Sequence, residues 1–286
     1  YEIRLSLGGS EMCIRDRARA AAHAGDSLTN ALSMAEMSRC LILLDRDIPE
    51  ADAMLMEADA LAGRASQDSH VFALARGMLL SMRGEWNRAA AELNRARALA
   101  RAAGDRVDEY AALEILGVIA LRRRRFVDAQ ILCRDLVDLS AKIREGSEQP
   151  CARALKALAD WSAGESGAQA ELEAQLTDLR NVDAKHRLSV VLTLASRAYS
   201  HEGSSDRALA CAREALDLAL ALERPSDEVF ARVALARAAL AAGDESMARA
   251  EIDAVSARTA ERMSIPARRA LDRLRADVNK SLEKSD

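Results

Sequence analysis

An all-α fold is what this sequence predicts, and three observations carry the prediction. Ala accounts for 60 of the 286 residues, and Ala, Leu, Arg and Glu are the strongest helix formers. Aromatic residues make up only 3% of the chain, with 13 Gly and 4 Pro, which excludes a β-sandwich, a barrel or a collagen-like chain. The third observation is self-similarity at a period of about forty residues.

The period is carried by a short motif. Gly84-Glu-Trp-Asn-Arg-Ala89, Arg124-Arg-Phe-Val-Asp-Ala129, Gly203-Ser-Ser-Asp-Arg-Ala208 and Gly243-Asp-Glu-Ser-Met-Ala248 align without gaps. Arg46-Asp-Ile-Pro-Glu-Ala51 fits at the front, and Gly164-Glu-Ser-Gly-Ala-Gln169 fits with Gln in the Ala position. The starts lie 38, 40, 40, 39 and 40 residues apart. Five such spacings in succession make a real repeat.

Each unit reads as two helices with a tight turn at the motif. Apolar runs precede it, such as Val71–Leu80 and Leu188–Ala195, and others follow it, such as Ala89–Leu99 and Ala208–Leu216. Their apolar residues recur at three- and four-residue intervals, which gives each helix a core stripe. The motif's Gly can adopt the left-handed conformation that ends the first helix, and the following Asp, Ser or Glu can cap the second. Gly104-Asp105, Gly146-Ser147, Pro225-Ser-Asp227 and Ser264-Ile-Pro266 supply stop and start signals between units. The units are expected at 27–65, 68–104, 106–145, 147–181, 182–223 and 225–261, followed by a terminal helix at 264–283.

The chain opens at Tyr1 with YEIRLSLGGSEMCIRDR. Residues 5–17 resemble translated sequencing-adapter read-through. The natural protein is therefore expected to begin near Ala18 as a C-terminal piece of something longer, with 1–17 a non-native leader and 18–286 the repeat domain.

Small residues recur where the two helices of each hairpin would approach most closely. They are Ala51, Ala89, Ala129, Ala208 and Ala248 at the start of second helices, and Gly77, Gly117, Ala157, Ser196 and Ala236 twelve residues upstream of the motif's last position. Arg39 occupies the first small position of unit one. This pairing resembles the tetratricopeptide repeat over residues 27–261. The aromatic partners of that motif are mostly replaced by Leu, and the units run nearer 40 than 34 residues. The resemblance implies a right-handed α-α superhelix, a TPR-like solenoid of about six hairpins plus a C-terminal helix. Units this long and Ala-rich look like the repeats of bacterial signalling proteins, including MalT-like and cyclase-associated regulators. One hairpin cannot bury both its apolar stripes, so neighbours stack and leave a concave face lined by first helices. That face suits a protein or peptide partner.

Composition limits the chemistry. The 41 Lys+Arg against 45 Asp+Glu give a net charge of −4, too even for a dedicated nucleic-acid binder. No run of about 18 apolar residues spans a membrane. The five Cys are far apart and form no CxxC pair, as expected for buried free thiols in the cytoplasm. There is no GxxxxGK[ST], HExxH or GxSxG. The four His at 23, 70, 186 and 201 are scattered, so solvated or capping roles are expected and no metal or other cofactor.

On the tetratricopeptide frame, Glu114, Arg122, Arg197, His201 and Arg237 face inward from first helices. Arg197 and Arg237 stand 40 residues apart at equivalent positions, where guanidinium forks can meet a carboxylate or carbonyl; they can equally pair with acids of the next unit. The function expected is a non-catalytic protein-interaction scaffold, with self-association through an uncapped end as a further possibility. The alternative is a ligand-sensing segment of a signal-transduction ATPase, adenylate or guanylate cyclase, kinase or MalT-like transcriptional regulator. The chain ends in a polar amphipathic helix where a MalT-type regulator would carry a helix-turn-helix, so DNA binding is not expected here.

Overall fold

Helix-favouring composition becomes helix along the chain. The structure is a computed structural model that describes residues 26–143 and 146–282; the leader expected at 1–17 lies outside the described residues. The helices are α1 (Ser27–Leu43), α2 (Ile48–Ala62), α3 (His70–Met82), α4 (Trp86–Ala103), α5 (Arg106–Arg122), α6 (Phe126–Ser140) and α7 (Glu148–Ser162). They continue as α8 (Ala168–Asn181), α9 (Lys185–His201), α10 (Ser205–Ala221), α11 (Pro225–Ala241), α12 (Glu245–Asp253), α13 (Ala257–Arg262) and α14 (Ile265–Leu282). A 3-10 turn, Gly63–Asp68, follows α2, and no strand occurs among the described residues.

The chain forms two compact units, one running to Leu116 and the other beginning at Gly117, so that α5 contributes to both. In the first unit α1 pairs with α2, α3 pairs with α4, and α1 and α2 both lie against α3. In the second unit α7 pairs with α8, α9 with α10 and α11 with α12. There each first helix also packs on the next first helix, α7 on α9 and α9 on α11. This is an all-α array of helical hairpins.

Backbone geometry at the turns explains where the helices stop. Gly84, Gly164, Gly203 and Gly243 take positive φ between α3 and α4, α7 and α8, α9 and α10, and α11 and α12. Left-handed backbone costs Gly nothing. Between α5 and α6 the same place is held by Arg124, at φ 59°, where a Cβ is disfavoured.

Each second helix repeats one pattern of buried positions. Ala89, Leu93, Ala96 and Ala100 in α4 are matched by Ala129, Cys133, Leu136 and Ser140 in α6 and by Ala208, Ala212, Ala215 and Ala219 in α10. Steps of four, three and four residues follow one face of the helix. Two registers differ from expectation. In α8 the pattern is Ala168, Leu172, Gln175 and Leu179, so the small residue is Ala168 and not position 169. In the first hairpin the small residue is Ser38 and not Arg39; Ser38 Oγ donates to the Ala51 carbonyl at 2.7 Å. Ser196 Oγ makes the equivalent bond to the Ala208 carbonyl at 2.8 Å. The α1–α2 turn is one residue longer than the α9–α10 turn, which shifts the register by one.

The closest approach is at Gly77. A Cβ there would sit 2.7 Å from Leu93 Cγ and 3.2 Å from the Leu93 amide nitrogen. At Gly117 the nearest atom would be Cys133 Sγ, at 3.2 Å. Leu93 itself is fully buried, which contributes about 2–3 kcal/mol. At the C-terminal end, α14 lays Leu271, Leu274 and Val278 over Val229, Val233 and Ala236 of α11.

Gly77→Ala is expected to destabilise the protein by about 1–3 kcal/mol through overpacking. Gly117→Ala, with softer contact and better helix propensity, is expected to be neutral or stabilising by up to about 1 kcal/mol. Urea denaturation of the two variants checks the contrast.

Candidate functional site

The polar residues that survive inside a helical array must be paired, because a half-buried guanidinium gives up part of its hydration. The second unit follows this rule closely. Arg187 on α9 donates to Glu148 at 2.8 Å and to Ser147 at 2.6 Å. Arg224 holds Asp227 at 2.5 Å, and Arg232 reaches Glu228 at 2.9 Å and Glu251 at 2.7 Å. His186 Nε2 lies 3.5 Å from Asp227. Burial opposes the charge on Asp227, but Arg224 and His186 hold its carboxyl down at about 2. Burial and then the Arg224 charge push His186 down to about 3, so it is neutral at physiological pH.

Arg197 departs from the rule. It is half-buried on α9, and among the described residues neither it nor Arg237 on α11 makes a hydrogen bond or ion pair. Burial, followed by the charges of Arg237, Arg122, Arg124 and Arg273, pushes Arg197 down to about 10. It still carries its charge at neutral pH. Arg122, the last residue of α5, places its guanidinium carbon 4.1 Å from the centre of the Phe230 ring on α11. Arg237 stands two turns beyond Phe230 on the same helix, hence on the same face.

Of the five residues singled out in the sequence, the structure thus brings Arg122, Arg197 and Arg237 into one electrostatic neighbourhood. His201 is exposed at the end of α9, four residues past Arg197. Glu114 is half-buried on α5 within the first unit and has partners of its own. Two neighbours of Arg197 escape sequence reasoning. Arg124 lies in a turn and Arg273 lies in α14, neither of them a first-helix position. The signals for Arg124 are its place at the Gly position of the repeat motif and within four consecutive arginines, 122–125.

The first unit contains a second charged cluster that the scattered histidines do not announce. His70 Nε2 lies 3.4 Å from Asp105 Oδ2 and 3.6 Å from Asp108 Oδ2. The other oxygen of Asp105 caps α5, accepting from the amides of Val107 and Asp108 at 3.0 Å. Among the described residues these three side chains could hold a metal ion, their ligand atoms all lying within 4.8 Å of one another. Arg39 Nη1, 2.8 Å from Asp108 Oδ2, already supplies a cation to the same oxygen. The arrangement therefore serves as a salt-bridged lock between α1, α3 and α5. Glu36 beside it has a raised pKa, from burial first and then from Asp108 and Asp105.

Neither Cys133 nor Cys211 is poised as a nucleophile. Burial pushes Cys133 up to about 12 and Cys211 up to about 11, which leaves both protonated at neutral pH. Cys40, Cys133 and Cys151 are buried free thiols, while Cys211 is half-buried. Trp161 is buried against Tyr199 in an edge contact at 4.7 Å and donates to Glu202, so it packs between hairpins.

No protein-family model matches the sequence, and no curated protein does. Among solved structures the chain is similar to BtubC (BKLC) from P. vanneervenii, at 16% identity and a TM-score of 0.40, covering 98% of this chain and 93% of that one. It is also similar to yeast Tom70, at 11% identity and a TM-score of 0.45, covering 98% of this chain and 60% of that one. Its own helices define the class: an all-α helical-hairpin repeat protein. No described helix is long and apolar enough to cross a membrane.

Asp108→Asn is expected to cost about 1–3 kcal/mol, because Arg39, only 15% exposed, keeps only its longer contact to Glu36 at 3.4 Å; urea denaturation measures it. The His186 shift sets a pH dependence. Its folded pKa lies below the ordinary 6.5, so the unfolded chain binds the proton first as pH falls. Stability is expected to be full above about 6.5 and to decline toward pH 4. His186→Gln should flatten that decline in denaturation midpoints taken at pH 7.5 and 5.0.

Proposed function

We propose that this protein is a non-catalytic, tetratricopeptide-like scaffold that binds a protein or peptide along the face formed by its first helices. The observation that carries the reading is the pair Arg197 and Arg237, on neighbouring first helices and without an acidic partner among the described residues. Everywhere else in the second unit a half-buried arginine on these helices is satisfied within the chain. A charged group kept half-dehydrated and unpaired costs stability, and binding an external partner recovers that cost.

Arg122 and His201 extend the same face within the second unit. The long, Ala-rich units support a place among the repeat arrays of larger bacterial signalling or regulatory proteins. Buried, protonated thiols support a reducing, cytoplasmic setting.

The test is selection of a displayed random peptide library on the immobilised full chain, followed by titration of the enriched peptides. Peptides that lose about tenfold or more in affinity on Arg197→Ala with Arg237→Ala, while thermal unfolding is unchanged, are the expected result. No enrichment over an unrelated helical protein, or affinity indifferent to the double substitution, contradicts the reading.

A further inference from the structure

The charge at Arg197 is more concentrated than a groove for an extended acidic peptide requires. Four other guanidiniums act on it, and they come from four places in the fold: Arg122 at the end of α5, Arg124 in the α5–α6 turn, Arg237 on α11 and Arg273 on α14. Among the described residues Arg124, Arg197, Arg237 and Arg273 form no ion pair. Arg273 bonds only the Arg269 carbonyl, at 3.0 Å, and Arg124 lies 5.8 Å from the Phe126 ring. Arg122 is braced on Phe230.

Backbone strain points to the same spot. Arg124 occupies the left-handed turn position that Gly fills in four other hairpins of the chain. A Cβ there costs on the order of 1 kcal/mol, and a positive side chain is held there beside other positive side chains. Local stability alone would favour Gly.

We propose that the arginine cluster centred on Arg197 binds a phosphate monoester dianion. This rests on the reading above, that partners bind along the first helices, and adds that the bound protein segment carries the phosphate on a side chain. One carboxylate would neutralise one of the four arginines that form no ion pair among the described residues, and it offers two oxygens. A phosphate monoester brings nearly two charges and three oxygens, enough for forked contacts from more than one guanidinium. Every member is Arg, whose planar fork matches phosphate geometry. Phosphodiesters of a nucleic acid carry one charge each along an extended chain, a poorer match for a compact cluster on a protein of net charge −4.

The experiment is calorimetric titration of the full chain at pH 7.5 and fixed ionic strength with four probes. These are N-acetyl-O-phosphoserine amide, inorganic phosphate, N-acetylglutamate amide and oligothymidylate. The phosphate monoester and inorganic phosphate are expected to bind at least about tenfold more tightly than the glutamate probe. Arg197→Gln with Arg237→Gln should abolish that binding. Arg124→Gly should weaken it while leaving the unfolding temperature equal or higher, which separates a lost ligand contact from a lost fold. Tighter binding of the phosphoserine probe supports a phosphorylated protein segment, and tighter binding of inorganic phosphate assigns the same site to a free phosphate compound. The proposal is overturned if the glutamate probe or oligothymidylate binds as well, or if phosphate binding survives the double substitution. Peptide binding that depends on Arg197 and Arg237 without any phosphate binding would remove this inference and leave the scaffold reading standing.

Discussion

Everything in this fold depends on the two helices of a hairpin crossing at very close range. The contact is made by small residues, Gly77 against Leu93, Gly117 against Cys133, and Ser196 against the Ala208 carbonyl. Ala at the head of each second helix is fully buried at 51, 89, 129, 208 and 248. Close approach at that point fixes the crossing of the hairpin, and the four-three-four spacing behind it carries the rest of the second helix into the same core. A larger residue at the crossing would push the helices apart and open every contact beyond it. With the hairpin geometry fixed, first helices are left side by side, and their outer faces are free to carry polar groups.

That economy makes the arginines informative. An array held together by small apolar contacts has no structural use for half-buried charge, so where such charge appears it is either paired or has another role. Arg39, Arg187 and Arg232 are paired across helices and act as locks between elements, and Arg224 is paired with Asp227 in the first turn of α11. Arg197 and Arg237 occupy the same kind of position without a lock to close. The contrast within one chain is what separates the candidate site from ordinary surface charge.

The all-α class and the forty-residue rhythm were legible from composition and from the recurrence of Gly or Arg before Ala, because both are local properties of helix and turn. The register was less so. A fixed frame placed Arg39 and Gln169 at the crossing, whereas Ser38 and Ala168 stand there. The cause is the turn within each hairpin: two residues of positive φ, Asp45 and Asp47 in one and Gly164 and Gly167 in the other, change how many residues the turn takes up. Turn length depends on backbone conformation that a spacing count does not see. The arginine pair at 197 and 237 followed from the period, but Arg124 and Arg273 reach it from a turn and a later helix. The meeting of His70 with Asp105 and Asp108 spans separate helices and has no periodic signal at all.

The close crossing can be measured chemically at one position. A Cβ built on Gly117 lies 3.2 Å from Cys133 Sγ, close to the separation found across a relaxed disulfide. Mild oxidation of a Gly117→Cys variant, followed by peptide mass mapping, should show a near-complete link between positions 117 and 133, with helicity retained. Failure to form that link in the folded protein, or preferential linkage of the new thiol to Cys151 or Cys211, would contradict the hairpin geometry on which the account rests.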